Sequence, residues 1–559
     1  MSRGPFSIVS RRDVLRLATV AGIAATACSA AGKAVDVPDL AGLRTADPRS
    51  GLIRLSEVGR AGLFRWQAGD YRTAIASDPL GGRYIAARST SASLGAWVRQ
   101  GNLLTPEMFG ATPIQQDHSK QLCALFDQIG PGIRIELNGR YILARGITIA
   151  RKSNFRITGT GSIVMRSGTP VTYDHGMLFF VECSDFELAT LTCDANRVAR
   201  IPREVPAHSL TFQSCRRFRC IGVRSVNAVC DGFILFSATP ERFDTHCRDF
   251  QFIDCVADNC FRQGCSVIQG HAGVFRGGAF SNTNGTAPAA GIDLESDAGA
   301  PNGSISDIMV DRVRFIGNQG FGLLVSTVSR PRDIVATDCV FDDNRRGAIS
   351  WGSARGHIIR PRISGFGPDA ERGAIDIPAG DGWRTDEPIK IETPKFTRVT
   401  TPRADTPLIY VHAAAYAPAV ITQMTADACG GIAGLNRDGS HLSAAVVLAS
   451  LGRVDGAISV SGRACTVADN RVDRFFGSAI IVTGSDATVE ANTLTEPRFN
   501  DINGTIRILA SGAKVVNNII KAKQAMVGIR VAGPIRLLGG NRITGFGRSV
   551  AAVATESGS

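Results

Sequence analysis

Apolar and polar positions alternate in short runs along most of the chain from about residue 132 onward. Representative runs are IRIEL, ITIA, GFILF and GIDLE, with polar turns between them. Many runs open with a glycine, and these glycines recur after 32, 27, 31 and 25 residues, at Gly232, Gly264, Gly291, Gly322 and Gly347. Each unit also holds an upstream strand that ends in Asn or Asp, such as IMVDRVRFIGN. Units with three short strands predict a solenoid of stacked parallel β-strands, an all-β fold.

The segments around the repeat have other patterns. Residues 34–110 alternate between glycine turns, which predicts a small β-rich module that contains Trp66 and Trp97. Ser119 is expected to cap a short amphipathic helix that ends near Ile129. The repeat extends over 111–550, with an expected excursion from the solenoid at about 380–460, and 551–559 form a tail.

The repeating glycines also predict which side chains share a face. If the glycines are equivalent, alternate residues of each strand point inward and outward. The inward set is then Cys265, Ile292, Leu323 and Ala348, and the outward column is Ser266, Asp293, Leu324 and Ile349, with Ile268, Glu295, Ser326 and Trp351 beside it. Asn284, Asn318 and Asn344 at strand ends are expected to form turns and to stack into ladders.

Asp293 and Glu295 are the main candidates for chemistry. They lie two residues apart on one face of a strand, so their α-carbons are about 7 Å apart. Two carboxyl groups at this spacing suit acid/base work on a glycosidic bond, because repulsion raises the pKa of one and leaves the other ionised. An exposed Trp351 could stack on a sugar ring. The alternative is an exposed polar pair, with Trp351 covered by a loop.

Charge and cysteine usage add weaker constraints. Residues 1–33 hold five basic residues and one acidic residue, so about +8 of the net charge of +12 belongs to the rest of the chain. A mildly basic surface favours an anionic polysaccharide, although a coding bias toward Arg explains it equally well. The chain shows no Lys/Arg run or motif of nucleic-acid-binding type. Most of the 14 cysteines lie beside Val, Ile or Phe, which favours small core fillers over a dense disulfide framework.

The N-terminus resembles a twin-arginine export signal. Arg11 and Arg12 precede an apolar run from about Val14 to Ala27, and small residues follow it. The resemblance implies that residues 1–33 engage the twin-arginine export machinery and that the folded protein reaches the periplasm or the medium. Lipid attachment at Cys28 is the less favoured alternative to simple cleavage. The run is too short for a spanning helix, and no transmembrane segment is expected elsewhere.

Three further motifs resemble the right-handed parallel β-helix, or pectate-lyase-like, superfamily. They are FGA followed by a short helix at 109–129, LTCDANR at 191–197, and the run that contains NCFRQGCSVI and GIDLE. The module at 34–110 is similar to a small domain that precedes the coil in some members. The resemblance implies a right-handed parallel β-helix that acts on polysaccharides as a hydrolase, lyase or epimerase, and homotrimers are common in the superfamily.

Neighbouring polar residues complete the predicted site. Arg262 could hold a sugar carboxylate or pair with Asp293. Further candidates for substrate binding are Asp231, Asp194, Arg197, His208 and His271. In a lyase, Arg262 or His271 would be the base, and Asp293 and Glu295 would bind Ca²⁺; a hydrolase would need no cofactor. For His208 and His271, an ordinary turn or surface position is the alternative.

These patterns favour an exported carbohydrate-active enzyme that cleaves a polysaccharide. Hydrolysis by Asp293 and Glu295 ranks slightly ahead of calcium-assisted β-elimination, and epimerisation ranks third. The alternative from another class is a non-catalytic β-helix that binds glycans or supports the cell envelope.

Overall fold

Two compact units make up the chain. The structure is a computed structural model, and it describes residues 34–172, 176–200, 205–365, 373–380, 382–399, 407–428, 431–448, 456–497 and 503–552. The first unit ends at Gly101 and the second begins at Asn102. The expected signal peptide at 1–33, including Cys28, and most of the tail lie outside the described residues.

The first unit is built on a small mixed sheet. In spatial order its strands are Val35–Val37, Leu52–Leu55, Gly62–Ala68, Gly95–Arg99 and Tyr84–Ile85. Its helices are Leu40–Thr45, the 3₁₀ turn Pro48–Ser50, and Arg72–Ala76. Trp97 is fully buried in its core, and its ring meets that of Trp66 edge to face at 5.4 Å. The alternating pattern of 34–110 therefore corresponds to a β-rich unit.

The second unit is a right-handed parallel β-helix. Each turn of the coil, a rung, contributes one strand to each of three parallel stacks.
The first stack contains Leu103–Leu104, Arg134–Glu136, Ser153–Thr158, Ser184–Ala189, Arg216–Ile221, Cys247–Ile253, Gly270–Arg276, Ile305–Asp311, Arg332–Thr337, His357–Ile359, Ile389–Glu392, Ala419–Thr422, His441–Ser443, Thr466–Ala468, Thr488–Glu490, Lys514–Val516 and Leu537–Gly539.
The second contains Arg140–Leu143, Ser162–Met165, Thr192–Asp194, Arg224–Val226, Val256–Asp258, Ala279–Ser281, Arg314–Ile316, Val340–Asp342, Arg362–Ser364, Lys395–Val399, Thr425–Ala428, Val446–Leu448, Arg471–Asp473 and Thr493–Thr495.

The third stack carries the glycine-opened strands. It contains Ile147–Ala150, Leu178–Val181, Leu210–Gln213, Phe233–Phe236, Cys265–Val267, Ile292–Leu294, Phe321–Val325, Gly347–Trp351, Ile375–Ile377, Pro407–Val411, Gly431–Leu435, Ile458–Val460, Ile480–Val482 and Ile506–Ile508. Two long final strands, Ile519–Val531 and Arg542–Ala552, extend across the second and third stacks.

The repeating glycines are explained by close approach between rungs. A Cβ added at Gly264 would lie 2.4 Å from the carbonyl oxygen of Gly291, and one at Gly291 would lie 2.6 Å from that of Gly322. These contacts are with backbone, which cannot rotate away as a side chain can. The repeated glycines are therefore explained by the close stacking of successive rungs at this corner.

Stacked apolar and amide side chains fill the coil. The rings of Phe155, Phe186 and Phe218 stack in the first strand stack, with centroids 5.0 and 5.1 Å apart. The predicted asparagine ladders are confirmed, since Nδ2 of Asn318 donates to Oδ1 of Asn344 at 2.8 Å. Such ladders satisfy buried backbone and amide groups at the turns, where no sheet bond is available.

A short helix, Ser119–Asp127, precedes the first complete rung. Leu122, Leu125 and Phe126 are buried, as predicted. Ser119 is the first helical residue rather than the cap, and its hydroxyl donates to Asp117 at 2.5 Å. The remaining 3₁₀ turns of this unit are Pro106–Phe109, Arg197–Ala199 and Phe243–Thr245.

The predicted register fails at one rung. Cys265, Ile292 and Leu323 pair in succession as expected, but Leu323 then pairs with Ile349 and Phe321 with Gly347. The strand Phe321–Val325 begins one residue before Gly322, so Gly347 is not the equivalent of Gly322. A slip of one residue exchanges the two faces of a strand. Ile349 therefore points inward, and Ser350 takes the outward position beside Leu324.

The predicted excursion at about 380–460 is wrong. Strands within this range pair in all three stacks, for example Ile389–Glu392 with Ala419–Thr422. Only the turns are longer, around Trp383 and Tyr416, whose rings lie 4.5 Å apart. Insertions in turns hide the repeat in sequence because they lengthen its period without removing its strands.

The cysteines act as core fillers. Twelve lie among the described residues; all twelve are free thiols, and all but Cys123 are buried. Several thiols donate to backbone carbonyls of the preceding rung, as Cys183 does to Ile149 at 3.2 Å. A search of the described residues finds no helix that is both long and apolar enough to cross a membrane.

Candidate functional site

Asp231 is the centre of a buried polar cluster at the edge of the third stack. It is completely buried just before the strand Phe233–Phe236. From the next rung, Arg262 donates through Nε to Oδ1 at 2.8 Å and through Nη2 to Oδ2 at 2.6 Å. The hydroxyl of Ser266 donates to Oδ2 at 3.0 Å. On the other side, Nδ1 of His208 lies 3.2 Å from Oδ2.

These contacts keep Asp231 ionised. Burial alone would raise the pKa of its carboxyl, but His208 and the hydrogen bonds from Arg262 outweigh burial and hold that pKa well below the usual range. Burial lowers the pKa of Arg262, but Asp231 raises it by a larger amount. The pKa of Arg262 is therefore above its ordinary value. Arg262 is therefore a fixed cation, and its main partner is Asp231 rather than Asp293.

Asp293 lies two rungs beyond Asp231 on the same face and is in the opposite electrostatic state. Its side chain is 4 % exposed at the middle of the strand Ile292–Leu294. Oδ2 accepts from Nε2 of Gln263 at 2.7 Å, whereas buried Oδ1 has no hydrogen-bond partner among the residues that the structure describes. Burial, followed by the negative charges of Glu295 and Asp231, raises the pKa of Asp293 well above its usual range. These surroundings favour the neutral form of the Asp293 carboxyl group.

Glu295 shares a recess with Asp293. The recess has a volume of about 310 Å³ and is lined by Arg262, Gln263, Ser266, Ile268, Pro288, Asp293, Glu295, Ser296, Asp297, Ala298 and Val328. Glu295 is only half buried; burial raises its pKa, while Ser326 and Arg262 favour its ionised form. Because Asp293 is the more deeply buried of the two, Glu295 is the group that ionises first.

The arrangement provides an acid and a base on one wall of a recess. Asp293 can donate a proton, and Glu295 can accept one, at α-carbon positions about 7 Å apart. A second recess of about 240 Å³, lined by Val205, Pro206, Cys230, Phe261, Arg262, Thr286 and Ala287, lies on the other side of Arg262. Arg262 thus faces both recesses, with its side chain 34 % exposed.

Asp194 and Arg197 belong to a neighbouring turn rather than to this cluster. Oδ1 of Asp194 accepts from Asn227, which begins a ladder that continues through Asn259 to Asn284. Arg197 donates to this ladder at Asn259 and lies over the ring of Phe261, 5.1 Å from its centre. Both side chains contact turn residues, which favours a structural role.

His271 also lies away from the acidic pair. It is in the first stack, where its Nε2 is 2.8 Å from Nδ1 of His246 and its Nδ1 is 2.9 Å from the hydroxyl of Ser306. Burial and the adjacent His246 lower the pKa of His271 to about 4. His208 therefore lies in the cluster beside Asp231, whereas His271, the candidate base of a lyase, lies in a different strand stack.

The prediction that Trp351 is exposed for sugar stacking is wrong. Trp351 pairs with Val325, points into the coil and is fully buried. The cause is the one-residue slip at this rung. The hydroxyl of Tyr416 donates to the backbone carbonyl of Trp351 at 3.3 Å, so a long turn covers this part of the coil as well.

Trp351→Ala is therefore expected to reduce stability, not glycan binding. Removing a buried Trp side chain leaves a cavity that costs about 3–5 kcal/mol, and Trp351→Phe should cost less. Chemical denaturation measures the loss. Carbohydrate binding by folded Trp351→Phe should equal that of the wild type, and a selective loss of binding would restore the stacking role.

Two residues of the cluster escaped sequence reasoning. Gln263 and Ser266 contact Asp293 and Asp231, respectively. The register already places Ser266 beside Asp293 in the outward column, which is a usable signal for Ser266. Gln263 precedes its strand, outside the alternating pattern, so periodicity gives no signal for it.

The residues present do not fit a bound cation. For a calcium ion, Asp293 offers a carboxyl group whose pKa is raised and whose Oδ2 already accepts from Gln263, beside the cationic Arg262. Of the described residues, His208, Cys230 and Asp231 form the one group with metal-like spacing. There, burial raises the pKa of the Cys230 thiol, and Arg262 already binds both oxygens of Asp231.

Comparisons with known proteins find likeness of structure only. No family model and no curated protein matches the chain. The A-module of the Azotobacter vinelandii mannuronan C-5 epimerase AlgE4 is similar at 15% identity and a TM-score of 0.42, over 59% of this chain and 99% of that one.

Two other solved structures show a similar degree of likeness. Tailspike protein gp49 of Acinetobacter baumannii bacteriophage Fri1, a capsular polysaccharide depolymerase, has 12% identity and a TM-score of 0.39, over 74% of this chain and 75% of that one. The catalytic unit of an α-1,3-glucanase from Streptomyces thermodiastaticus has 10% identity and a TM-score of 0.41, over 82% of this chain and 74% of that one. At these scores the likeness carries no inference about chemistry.

Proposed function

We propose that this protein cleaves a polysaccharide by hydrolysis, with Asp293 as general acid and Glu295 as general base or nucleophile. One observation carries the proposal. Asp293 is a nearly buried carboxyl group with a raised pKa, its Oδ1 has no partner among the described residues, and it lines one recess together with the half-buried Glu295. An isolated polar group with no partner is costly in a folded protein, so its retention indicates a use.

The roles follow from the two environments. Glycoside hydrolysis needs one carboxyl group that protonates the departing oxygen and a second that activates water or attacks the sugar. Asp293, kept neutral by burial and by the charges of Glu295 and Asp231, suits the first role. Glu295, exposed enough to meet water and favoured in its ionised form by Arg262, suits the second.

β-Elimination has less support. It requires a base near the sugar carbon that bears the acidic proton, and Arg262 and His271 were the candidates. Asp231 raises the pKa of Arg262 and occupies two of its donors, which opposes loss of a proton. His271 lies in a different strand stack. The recess itself contains the half-buried Glu295 and the exposed Asp297, and Glu295 beside Asp293 forms the carboxyl pair that hydrolysis needs.

We further propose export through the twin-arginine pathway to the periplasm or beyond, from the Arg11–Arg12 sequence pattern. A polysaccharide-cleaving enzyme would meet its substrate there.

A substrate panel tests the proposed function. The purified protein is incubated with neutral and anionic polysaccharides, and new reducing ends and ultraviolet absorbance of unsaturated products are recorded together. We expect new reducing ends without unsaturation. Unsaturated products would establish elimination instead, and retention of a polysaccharide without cleavage would establish the non-catalytic glycan-binding alternative.

A further inference from the structure

Gln263 holds the carboxyl group of Asp293 in one orientation. We propose that Gln263 is a positioning residue that fixes the transferable proton on Oδ1 of Asp293, the carboxyl oxygen that has no hydrogen-bond partner among the described residues. The proposal rests on the hydrolytic function above for its consequence in catalysis, but the position of the proton can be measured without any substrate.

The orientation of the Gln263 side-chain amide is set by the backbone. Oε1 of Gln263 accepts from the backbone N–H of Ala290 at 2.7 Å, and Nε2 lies 2.7 Å from Oδ2 of Asp293. A backbone N–H can only donate, so Oε1 must face Ala290 and the NH₂ group must face Asp293. A flipped amide would place two donors against each other at Ala290.

This amide in turn decides which oxygen of Asp293 carries the proton. Because Nε2 donates, Oδ2 accepts, and the doubly bonded oxygen of a neutral carboxyl group is its stronger acceptor, so Oδ2 takes the carbonyl role. A neutral carboxyl group then bears its hydrogen on Oδ1, which is buried and has no partner within the described residues. The charged groups that bear on Asp293 are Glu295, Asp231 and Arg262. The proton thus lies on the oxygen that has no competing protein acceptor in the described part of the chain.

Backbone hydrogen bonds of Gln263 hold its side-chain amide in place against Asp293. Its N–H donates to Oδ1 of Asp231 at 3.2 Å, and its carbonyl accepts from Gly232 at 3.0 Å. One residue therefore connects the ionised Asp231 and the neutral Asp293, and both of its ends are anchored in adjacent rungs. A side chain restrained at both ends loses little further entropy when the substrate binds.

Two variants separate the roles of this amide. Gln263→Leu removes the donor, so Oδ2 loses its hydrogen bond and the proton can occupy either oxygen. Gln263→Glu keeps the size and the acceptor for Ala290 but places a second carboxyl group against Oδ2. The two carboxyl groups would then share a proton, because two close carboxylates resist joint ionisation, and Oδ1 would lose it.

Infrared spectroscopy of the full-length protein tests the position of the proton directly. At neutral pH ordinary carboxyl groups are ionised, so the carbonyl band of a protonated carboxyl should be present and should disappear in Asp293→Asn. Loss of a hydrogen bond to the carbonyl oxygen raises its stretching frequency. We therefore expect the band to move to higher frequency in Gln263→Leu and to remain in place in Gln269→Leu. Gln269 is also a buried glutamine, and it accepts from Ser237 instead.

Three infrared outcomes would overturn the inference. They are absence of the band in the wild type, persistence of the band in Asp293→Asn, and a band that Gln263→Leu leaves unmoved. Hydrolysis of the panel substrate could still be observed in each case, so failure of this inference is distinct from failure of the proposed function.

A leaving-group comparison then tests the catalytic consequence. The substrates are the polysaccharide cleaved in the panel and a dinitrophenyl glycoside of the same sugar, whose leaving group needs no protonation. We expect Gln263→Glu to reduce kcat on the polysaccharide at least about 100-fold and on the aryl glycoside less than about 10-fold. Equal losses on both substrates would indicate a structural role and overturn the positioning role.

Discussion

Asp293→Asn is expected to lower the rate of polysaccharide cleavage by about 100- to 10,000-fold, the usual contribution of a general acid. The fold should survive, because Asp293 is neutral in its buried position and a neutral amide replaces it at almost the same size.

The same logic predicts the pH dependence of the wild type. Burial and the neighbouring charges raise the pKa of Asp293, so cleavage should decline as pH rises through that raised pKa, and the residual activity of Asp293→Asn should lack this limb.

Asp376→Asn is a matched control for this variant. Asp376 is a buried aspartate in the same outward column of the third stack, three rungs beyond Asp293, or about 14 Å. It should keep near-wild-type kcat when the rate is expressed per folded molecule. Full activity in Asp293→Asn, or equal losses in the two variants, would remove Asp293 from the mechanism.

Arg262→Leu is expected to lower the free energy of unfolding by about 3 kcal/mol, the lower end of the cost of breaking a buried ion pair. The cost arises because Asp231 stays completely buried while its two strongest hydrogen bonds disappear. The lower end applies because the guanidinium group itself is partly exposed. Urea denaturation at neutral pH measures the loss.

Two controls and a pH series distinguish this cause from general damage. Arg217→Leu removes an equivalent two-bond contact between adjacent rungs, to Asp185, but that pair is exposed, so its loss should destabilise the protein far less than Arg262→Leu does. Adding Asp231→Asn to Arg262→Leu should recover part of the loss, because it removes the stranded charge. A double variant as unstable as the sum of its parts would contradict this account.

The sign of the pH effect follows from the direction of the Asp231 shift. Its folded pKa is below the unfolded value of about 3.9. The stabilisation is therefore complete above about pH 4 and is lost as pH falls toward the folded pKa. The stability gap between wild type and Arg262→Leu should narrow over that acidic range and stay constant at neutral pH.

Much of the fold follows from local pattern alone. Alternation and glycine spacing predicted a parallel coil, because each rung must bury its own apolar face and approach the next rung closely at the glycines. The same spacing correctly aligned Ser266, Asp293 and Leu324. It failed at Trp351 because Gly347 pairs with Phe321 rather than with Gly322, and glycine spacing alone does not reveal this shift of one residue.

The site was only partly accessible to the same reasoning. For residues on strands, such as Asp293, the alternation of the strand decides which face the side chain is on. Residues at turns, such as Gln263 and His208, take their direction from turn geometry, which periodicity does not encode. The opposite ionisation states of Asp231 and Asp293 depend on burial and on the contacts of Arg262, and these arise only when four rungs are stacked.

The position of the site within the solenoid has a consequence for its dynamics. His208, Asp231, Gln263 and Glu295 come from four successive rungs, and each rung pairs only with its immediate neighbours. In such an array, segments can open separately, so amide exchange can proceed at one end while another segment stays protected. Protection of amides within about 208–295 should therefore report the integrity of the recess better than any global melting temperature.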